Sequence, residues 1–536
     1  MVPDPIATGL EQGWQVIDAS TLSADKTLEA DVVIVGTGAG GGITAEILSK
    51  AGLKVVLLEE GPLKSSRDFK LRESDAYPQL YQESGERQTK DKAISILQGR
   101  SVGGSTTVNW TSSFRTPPST LEVWNKQYGL PDLTVDALAP WFAMAEKRLN
   151  IHNWPGEPNR NNDLLRVGAE KLGISWGRIN RNVNGCWNLG YCGMGCAVNA
   201  KQSMLITTIP AALGQGATLV YRVRVETLGV VGDQVGTVEC HGLDSTGLLP
   251  TGRKLSVKAR HVVLSAGAIG SPAVLLRSGA PDPFKLLGKR TFLHPVSISI
   301  SDMPEPVVAS AGAPQTVYSD HFLHNGPIDG PIGFKLEVPP IHPMLGATTL
   351  TGIGKSHAEW MSRFNHMHVQ LALMRDGFHP DSLGGQVELR SDGTPMLDYP
   401  LTDYVWEGLK RSLLVMAELQ FAAGATRVLP VHEGAVPYTS WAQAKQAIAA
   451  LPAEVLRFRV FSAHVMGGCR MGSKPEESVV DSHGRHHQLV NLHVIDGSAF
   501  PTSIGANPQL SIYGLAARNA SKLAETLTGK PAPALA

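Results

Sequence analysis

The sequence predicts a mixed α/β chain, α+β overall, of two domains: a Rossmann-like domain and a second domain built on an antiparallel sheet. Three observations carry this. Residues 31–60 form a complete strand–glycine–helix–strand–acid unit, the arrangement that a parallel sheet makes around a dinucleotide. The chain has 536 residues, too many for one compact core. Between about 300 and 460 the small-residue motifs give way to short strand-like pieces punctuated by Pro and Gly, and from 461 the glycine-rich motifs return. The expected division is therefore discontinuous. Residues 30–300 and 461–536 make the first domain, with parts of 116–200 as insertions, and 301–460 make the second.

Taken in order, residues 1–29 read as a polar lead-in. Asp31 to Val35 is a Val/Ile-rich run ended by glycine, the mark of a buried strand. Gly36-Thr37-Gly38-Ala39-Gly40-Gly41 follows as a G-x-G-x-x-G. Gly36 allows the tight turn, Gly38 lets backbone approach a pyrophosphate, and Gly41 lets the helix pack closely on the strand. Ile43, Ile47, Leu48 and Ala51 recur at helical spacing until Gly52 stops the helix. The helix N-terminus offers free N–H groups to phosphate. Lys54 to Leu58 is the second strand, and Glu59 at its end is placed to accept hydrogen bonds from a ribose 2′-OH and 3′-OH. The unit alone admits NAD or FAD.

Residues 63–95 are charged and irregular, as surface helix and loop would be. Gln98 to Trp110 is a second small-residue stretch. Its Gly103, Gly104 and Ser105 can bring backbone N–H groups to phosphate or ring oxygens, with Arg100 and Asn109 as polar contacts. Residues 120–150 are helical, with Trp124, Trp141 and Phe142 as core residues, and 163–172 make a further helix. Ala217 to Val225 and His261 to Ala266 read as strands flanking a β-meander over 225–260, with turns at Gly232-Asp233 and at 244–247. The second domain holds a strand at Gln386 to Leu389 and helices near 403–422 and 440–458. The chain closes on an amphipathic helix around Leu510 to Leu527.

Composition excludes several classes. Lys+Arg and Asp+Glu are equal at 48 each, with no basic stripe, so nothing favours nucleic acid or an acidic membrane surface. No run is long and apolar enough to span a bilayer. The first basic residue is Lys26 and no apolar segment follows Met1, so no secretory signal is expected and the default location is the cytoplasm. Five cysteines in this length make no disulfide framework. Cys186, Cys192 and Cys196 are spaced so that they could hold metal or a [3Fe–4S] cluster, but a structural or disulfide role is the preferred reading. Cys469 reads as a small buried apolar residue. Gly173 to Gly177 spells G-x-S-x-G after a helix rather than before one, the wrong order for a nucleophile elbow. Gly354-Lys355-Ser356 lacks a P-loop's first glycine, where Thr349 stands. His483, His486 and His487 read as a surface loop, not as metal ligands.

Four blocks, in order, give the chain a resemblance. They are Gly36 to Glu59; Gly99-Arg100-Ser101-Val102-Gly103-Gly104-Ser105 through Asn109; Ser265-Ala266-Gly267-Ala268-Ile269-Gly270-Ser271-Pro272 through Ser278-Gly279; and His464 within SAHVMGGCRMG with Asn507-Pro508 within TSIGANPQLSIYGLAAR, joined by Val494 to Ser498. Over nearly its whole length the chain resembles the glucose–methanol–choline oxidoreductases, a family of flavoproteins. The resemblance implies FAD rather than NAD, with 301–460 as the substrate-binding domain. It implies that Val225 touches the adenine through its backbone and that Asp496, Gly497 and Pro508 lie along the cofactor. Some members attach FAD through a histidine beside the position of Asn109. Val108 stands there, so non-covalent FAD is expected.

The implied reaction is oxidation of a primary or secondary alcohol by hydride transfer to flavin N5. It needs a base for the hydroxyl proton and a donor for the alcohol oxygen. By resemblance His464 is the base and Asn507 its partner. O2, a quinone or another acceptor would reoxidise the flavin. The C-terminal wording together with Leu293-His294-Pro295 is most similar to the branch of long-chain alcohol oxidases and bacterial alcohol or sugar-acid dehydrogenases, which points to a hydrophobic or aromatic alcohol. Two alternatives stay open: a flavin subunit of an electron-transfer complex with an Fe–S cluster at the three cysteines, and a non-redox or light-driven flavoenzyme of the same fold.

Overall fold

The computed structural model describes residues 2–535. The expected fold class holds. One eight-stranded sheet carries the dinucleotide motif, with a parallel centre running Gln15–Asp18, Thr218–Tyr221, Val55–Glu59, Lys26–Val35 and Pro250–Leu264. Leu492–Val494 pairs with the last of these, also in parallel. Ile34 lies beside Leu57 on one side and Val263 on the other. Strands covered on both faces must be apolar throughout, and Val55–Glu59 is buried at every position. The long Pro250–Leu264 strand leaves this parallel centre and forms the meander with Gln234–Leu243 and Val223–Val231, antiparallel throughout. The Ala39–Lys50 helix is buried from Gly40 to Ser49. It packs against the Thr208–Gly214 and Gln509–Thr528 helices.

The second eight-stranded sheet runs Ile94–Ile96, Val460–Ser462, Val296–Asp302, Met367–Met374, Phe334–Glu337, Val317–Ser319 and Gly177–Arg178, with Arg427–Pro430 also on Val296–Asp302. Apart from the parallel pairing of its first two strands, it is antiparallel. The Asp403–Ala422 helix covers one face, and its Leu409, Leu413 and Met416 share a core with Phe334, Leu336 and Met374. A four-stranded sheet of Pro395–Asp398, Gly385–Leu389, Lys289–Leu293 and Val465–Gly467 adjoins it.

Several local expectations change. The lead-in is ordered: Asp4 caps a Pro5–Glu11 helix, and Gln15–Asp18 joins the first sheet. An Asp before Pro is a helix-start signal that the polar composition hides. Residues 63–95 do not all lie at the surface, because Leu80 is buried and Ile94 is fully buried in the second sheet. The strand expected over 217–225 is two, broken at Arg222, where φ is +55°. The 440–458 helix spans only Trp441–Ala449, since Pro452 lacks the N–H to continue it and restricts Leu451. His486 is buried rather than part of a solvated loop, and its Nδ1 accepts from Gln488 N and Leu489 N. Trp124 and Phe142 are core residues, as expected, while Trp141 is half-buried against the same core. Among the described residues, no helix is long and apolar enough to cross a membrane.

Candidate active site

The glycine loop shows which of its glycines the protein itself requires. Gly36 has φ +95°, and a Cβ there would lie 2.3 Å from Ser265 O. A Cβ on Gly41 would lie 2.0 Å from Gly36 O, and one on Gly40 1.8 Å from Ile495 O. Gly38 differs: the nearest atom to its added Cβ is Gly104 Cα, at 3.9 Å. No protein atom crowds it, yet it caps the Ala39–Lys50 helix without any side-chain hydrogen bond. An open backbone concavity at a helix N-terminus, faced by the left-handed Gly103 and Gly104, suits a phosphate diester. The residues present therefore fit a dinucleotide.

Glu59 closes this end. Its Oε2 accepts from Thr37 N (3.1 Å) and Thr37 Oγ1 (2.6 Å), and its Oε1 from Gly61 N (2.9 Å). Burial pushes its carboxyl above the usual range against those hydrogen bonds. Three of roughly four carboxylate acceptor positions are filled, which leaves room for one ribose hydroxyl. Thr37 Oγ1 also accepts from Gly103 N at 2.9 Å, so the second block is tied directly to the first. Arg100 sits nearby, but its guanidinium turns to Glu60 (3.4 Å) and donates to Gly247 O. Glu60 is held down to about 2 by Arg100 and Arg224 in spite of its burial. Ser105 Oγ accepts from Gly99 N at 2.9 Å, and Asn109 Nδ2 donates to Gln509 Oε1 at 2.6 Å. These two side chains brace the loop.

Asp496 joins the third and fourth blocks. One of its oxygens accepts from Gly267 N (2.8 Å) and Ser271 Oγ (2.6 Å), the other from Ser498 N (2.8 Å). Burial pushes its carboxyl up. Gly497 is buried beside it. Val225 O accepts from Arg277 Nη2 at 2.9 Å. Pro508 caps the Gln509–Thr528 helix. The first three blocks and the Val494 to Ser498 segment of the fourth, distant in sequence, thus meet just beyond the C-terminal ends of the central strands of the first sheet.

His464 lies between the Val460–Ser462 and Val465–Gly467 strands. Its Nδ1 is 3.0 Å from Nδ1 of His294, with the rings at 86°. Burial, and then the charge of Lys335, holds His464 down to about 3, so it is a neutral imidazole at neutral pH. His294 is also held well below its usual range, first by burial and then by His464 and Lys335. Gly505 N donates to His294 Nε2 at 3.2 Å.

Asn507 faces a charged pair that the sequence did not reveal. Its Oδ1 accepts from Lys335 Nζ at 3.2 Å, and its Nδ2 donates to Glu337 Oε2 at 3.1 Å. Lys335 Nζ is 3.2 Å from Glu337 Oε1 and sits over the Phe114 ring. Gln315 Nε2 donates to Glu337 Oε2 at 2.6 Å, and Ser112 Oγ to Gln315 Oε1 at 2.6 Å. Burial pulls Lys335 down to about 8 although Glu337 opposes it. The usable signal was the opposite charges two apart in Phe334-Lys335-Leu336-Glu337, which share one face of a strand.

All five cysteines are free, so no disulfide joins them, and among the described residues no three His, Cys, Asp or Glu side chains form a metal-binding group. The cysteine loop is fastened instead by Lys201, also missed in the sequence. Its buried Nζ donates to the carbonyls of Thr107 (2.7 Å), Asn109 (2.8 Å) and Cys192 (2.7 Å). Cys469 is fully buried.

The chain is similar to known proteins over most of its length. Two GMC oxidoreductase family models match, over residues 77–296 and 380–516. The chain is 30% identical over 513 residues to an uncharacterized GMC-type oxidoreductase of Sinorhizobium fredii, covering 93% of this chain and 95% of the relative. It is 29% identical over 528 residues to a long-chain-alcohol oxidase of Arabidopsis thaliana, covering 94% of this chain and 68% of that one. Pyridoxine 4-oxidase from Mesorbium loti shares the fold, with a TM-score of 0.68 at 21% identity over 92% of this chain and 98% of that one. A formate oxidase of Aspergillus oryzae does so with a TM-score of 0.68 at 16% identity over 94% and 99%. The chain is an oxidoreductase and belongs to the GMC oxidoreductase family.

Proposed function

We propose that the chain binds FAD without a covalent link and oxidises an alcohol with a hydrophobic or aromatic body, with His464 taking the hydroxyl proton and Asn507 holding the alcohol oxygen. Bound FAD would supply the hydride acceptor. Gly38, Gly103 and Gly104 would take the pyrophosphate and Glu59 the ribose. Val108, where a linking histidine would stand, supports a non-covalent site.

The observation that carries the reading is a half-buried, neutral His464 that feels the charge of Lys335, the same ammonium that holds an Asn507 whose amide has one N–H uncommitted. A neutral imidazole can accept the hydroxyl proton, and a fixed amide donor can hold oxygen as charge develops on it. An apolar cluster supports the substrate class. Val296, Leu371 and Leu373 are buried together, with Trp110, Ile298 and Phe461 packed against them. Val296 lies two residues after His294 and pairs with Phe461, just ahead of His464. Burial of an alkyl or aryl group there contributes ~25 cal/mol per Å².

Anaerobic addition of an alcohol panel to the FAD-loaded protein tests the reading. Bleaching of the flavin is expected with hydrophobic alcohols, and none with any alcohol would refute it. His464→Ala should keep FAD and slow reduction by about 10²–10⁴-fold, whereas an unchanged rate removes the base assignment. Timing reoxidation with O2 and with a quinone identifies the acceptor.

A second reading rests on the Gly505 N–H. With neutral His294 in the Nδ1–H tautomer, that ring would donate to His464 Nδ1 and leave His464 protonated on Nε2. His464 would then donate to the alcohol oxygen rather than accept its proton. The reductive rate tells the two apart: a base gives an acid limb, a donor does not.

A further inference from the structure

We infer that Lys335 and Glu337 are positioning residues that set the amide of Asn507, so that a single N–H of that amide faces the alcohol oxygen. This rests on the proposed function of Asn507. An Asn amide can be turned end for end at little cost unless its partners distinguish O from N. Here they do. Lys335 can only donate, and it meets Oδ1 at 3.2 Å. Glu337 Oε2 meets Nδ2 at 3.1 Å. Turned over, the amide would point NH2 at an ammonium and oxygen at a carboxylate. One Nδ2–H is bonded to Glu337, so only the second remains for a ligand.

The pair is itself held on every side. Glu337 accepts from Gln315 at 2.6 Å, and Gln315 is held by Ser112 Oγ at 2.6 Å. Lys335 is enclosed by the Phe114 and Tyr318 rings. The charged and titratable groups around it are Glu337, Asp320 on the neighbouring segment, Tyr318, His294 and His464. A cation against Oδ1 also polarises the amide and makes its N–H a stronger donor to an oxygen gaining negative charge. Loss of the Lys335 proton removes that effect, which gives flavin reduction an alkaline limb near pH 8.

The test uses FAD-loaded wild type, Lys335→Met, Lys335→Arg and the double variant Lys335→Met/Glu337→Gln. Lys335→Met leaves Glu337 buried without its cation, so the double variant controls for folding. In both, anaerobic reduction at pH 7 should slow by roughly 10²-fold or more with FAD retained, and the alkaline limb should vanish. Lys335→Arg, which stays charged, should keep the faster rate above pH 9. A double variant that folds and reduces within about threefold of wild type, with its alkaline limb unmoved, overturns the inference. If no alcohol reduces the wild-type flavin, the proposed function fails and a second measurement decides this one. A double-mutant cycle of Lys335→Met with Asn507→Leu, read by urea unfolding, should show a coupling of roughly tenfold in the unfolding constant. Additive effects there overturn it.

Discussion

Trp124→Phe tests how the Pro118–Tyr128 helix holds Asn507. Trp124 is fully buried on the Pro118–Tyr128 helix. Its Nε1–H donates to Thr502 Oγ1 at 2.8 Å, and its ring packs on Phe500 with centroids 5.3 Å apart. One turn earlier, Thr120 Oγ1 donates to Ile504 O at 2.9 Å. The helix therefore grips the segment that ends at Asn507 at two points. Phenylalanine keeps a ring but removes the indole donor, at about 1 kcal/mol, and leaves a void where the larger ring stood, at about 1 kcal/mol more. The expected loss is about 2 kcal/mol, against roughly 3–5 kcal/mol for Trp124→Ala. Urea unfolding followed by circular dichroism reads it as a lower midpoint at constant slope. Flavin reduction should also slow several-fold, because a small misplacement of Asn507 would weaken the hold on the alcohol oxygen proposed for it. A stability change below about 0.5 kcal/mol would show that the indole N–H anchors nothing, and with it the two-point grip would fall.

Two neighbouring glycines should behave differently. Gly40→Ala places Cβ 1.8 Å from Ile495 O, so the helix must lift off the C-terminal segment; destabilisation beyond the usual ~1–3 kcal/mol of overpacking is expected, and a wild-type melting curve would refute it. Gly38→Ala meets nothing within 3.9 Å, so the FAD-free protein should melt as wild type while FAD binds at least tenfold more weakly, and unaltered FAD affinity would remove the pyrophosphate role. His368→Gln concerns pH. Nδ1 of His368 is 2.9 Å from Asn161 Oδ1, its Nε2 3.0 Å from Gln370 Nε2, and burial holds it down to about 3. The folded imidazole stays neutral where the unfolded one, near 6.5, takes a proton, so its contribution is present above pH 6.5 and lost as pH falls toward 3. The variant should lower stability at pH 7 but flatten the fall between pH 6 and 5 by about 1.4 kcal/mol per pH unit; urea midpoints whose pH dependence matches wild type would refute it.

What was legible in the sequence is what local constraint dictates. Val32 to Val35 must be apolar because helices and strands close over both faces, and Gly36 and Gly41 must lack side chains because Ser265 and Gly36 itself stand in the way. Such requirements leave a pattern within a few residues of their cause. The break at Arg222 left none, because it arises where the chain passes from the parallel centre to the meander, with Arg222 N on Gly61 O and Leu243 N on Arg222 O. Arg100 shows the same limit from the other side: its place in the motif was readable, but the turn of its guanidinium toward Glu60 depends on a residue 40 positions away in sequence.

Lys335 and Glu337 show why half the site stayed hidden. Phe-Lys-Leu-Glu alternates as a strand with one face in water, and the ordinary inference sends Lys and Glu outward. All four residues are buried. The second sheet turns its polar face not to solvent but to Asn507 on the returning C-terminal segment. Charges on a strand are read as solvated unless a partner is known, and here the partner arrives from 170 or more residues away. A Lys and a Glu on one strand face satisfy each other as they leave water, which lowers the desolvation cost of each. The same pairing leaves a donor-only group and an acceptor-only group side by side, the combination that tells the two ends of an amide apart. An apolar strand could have closed that face more cheaply, but it could not have oriented Asn507.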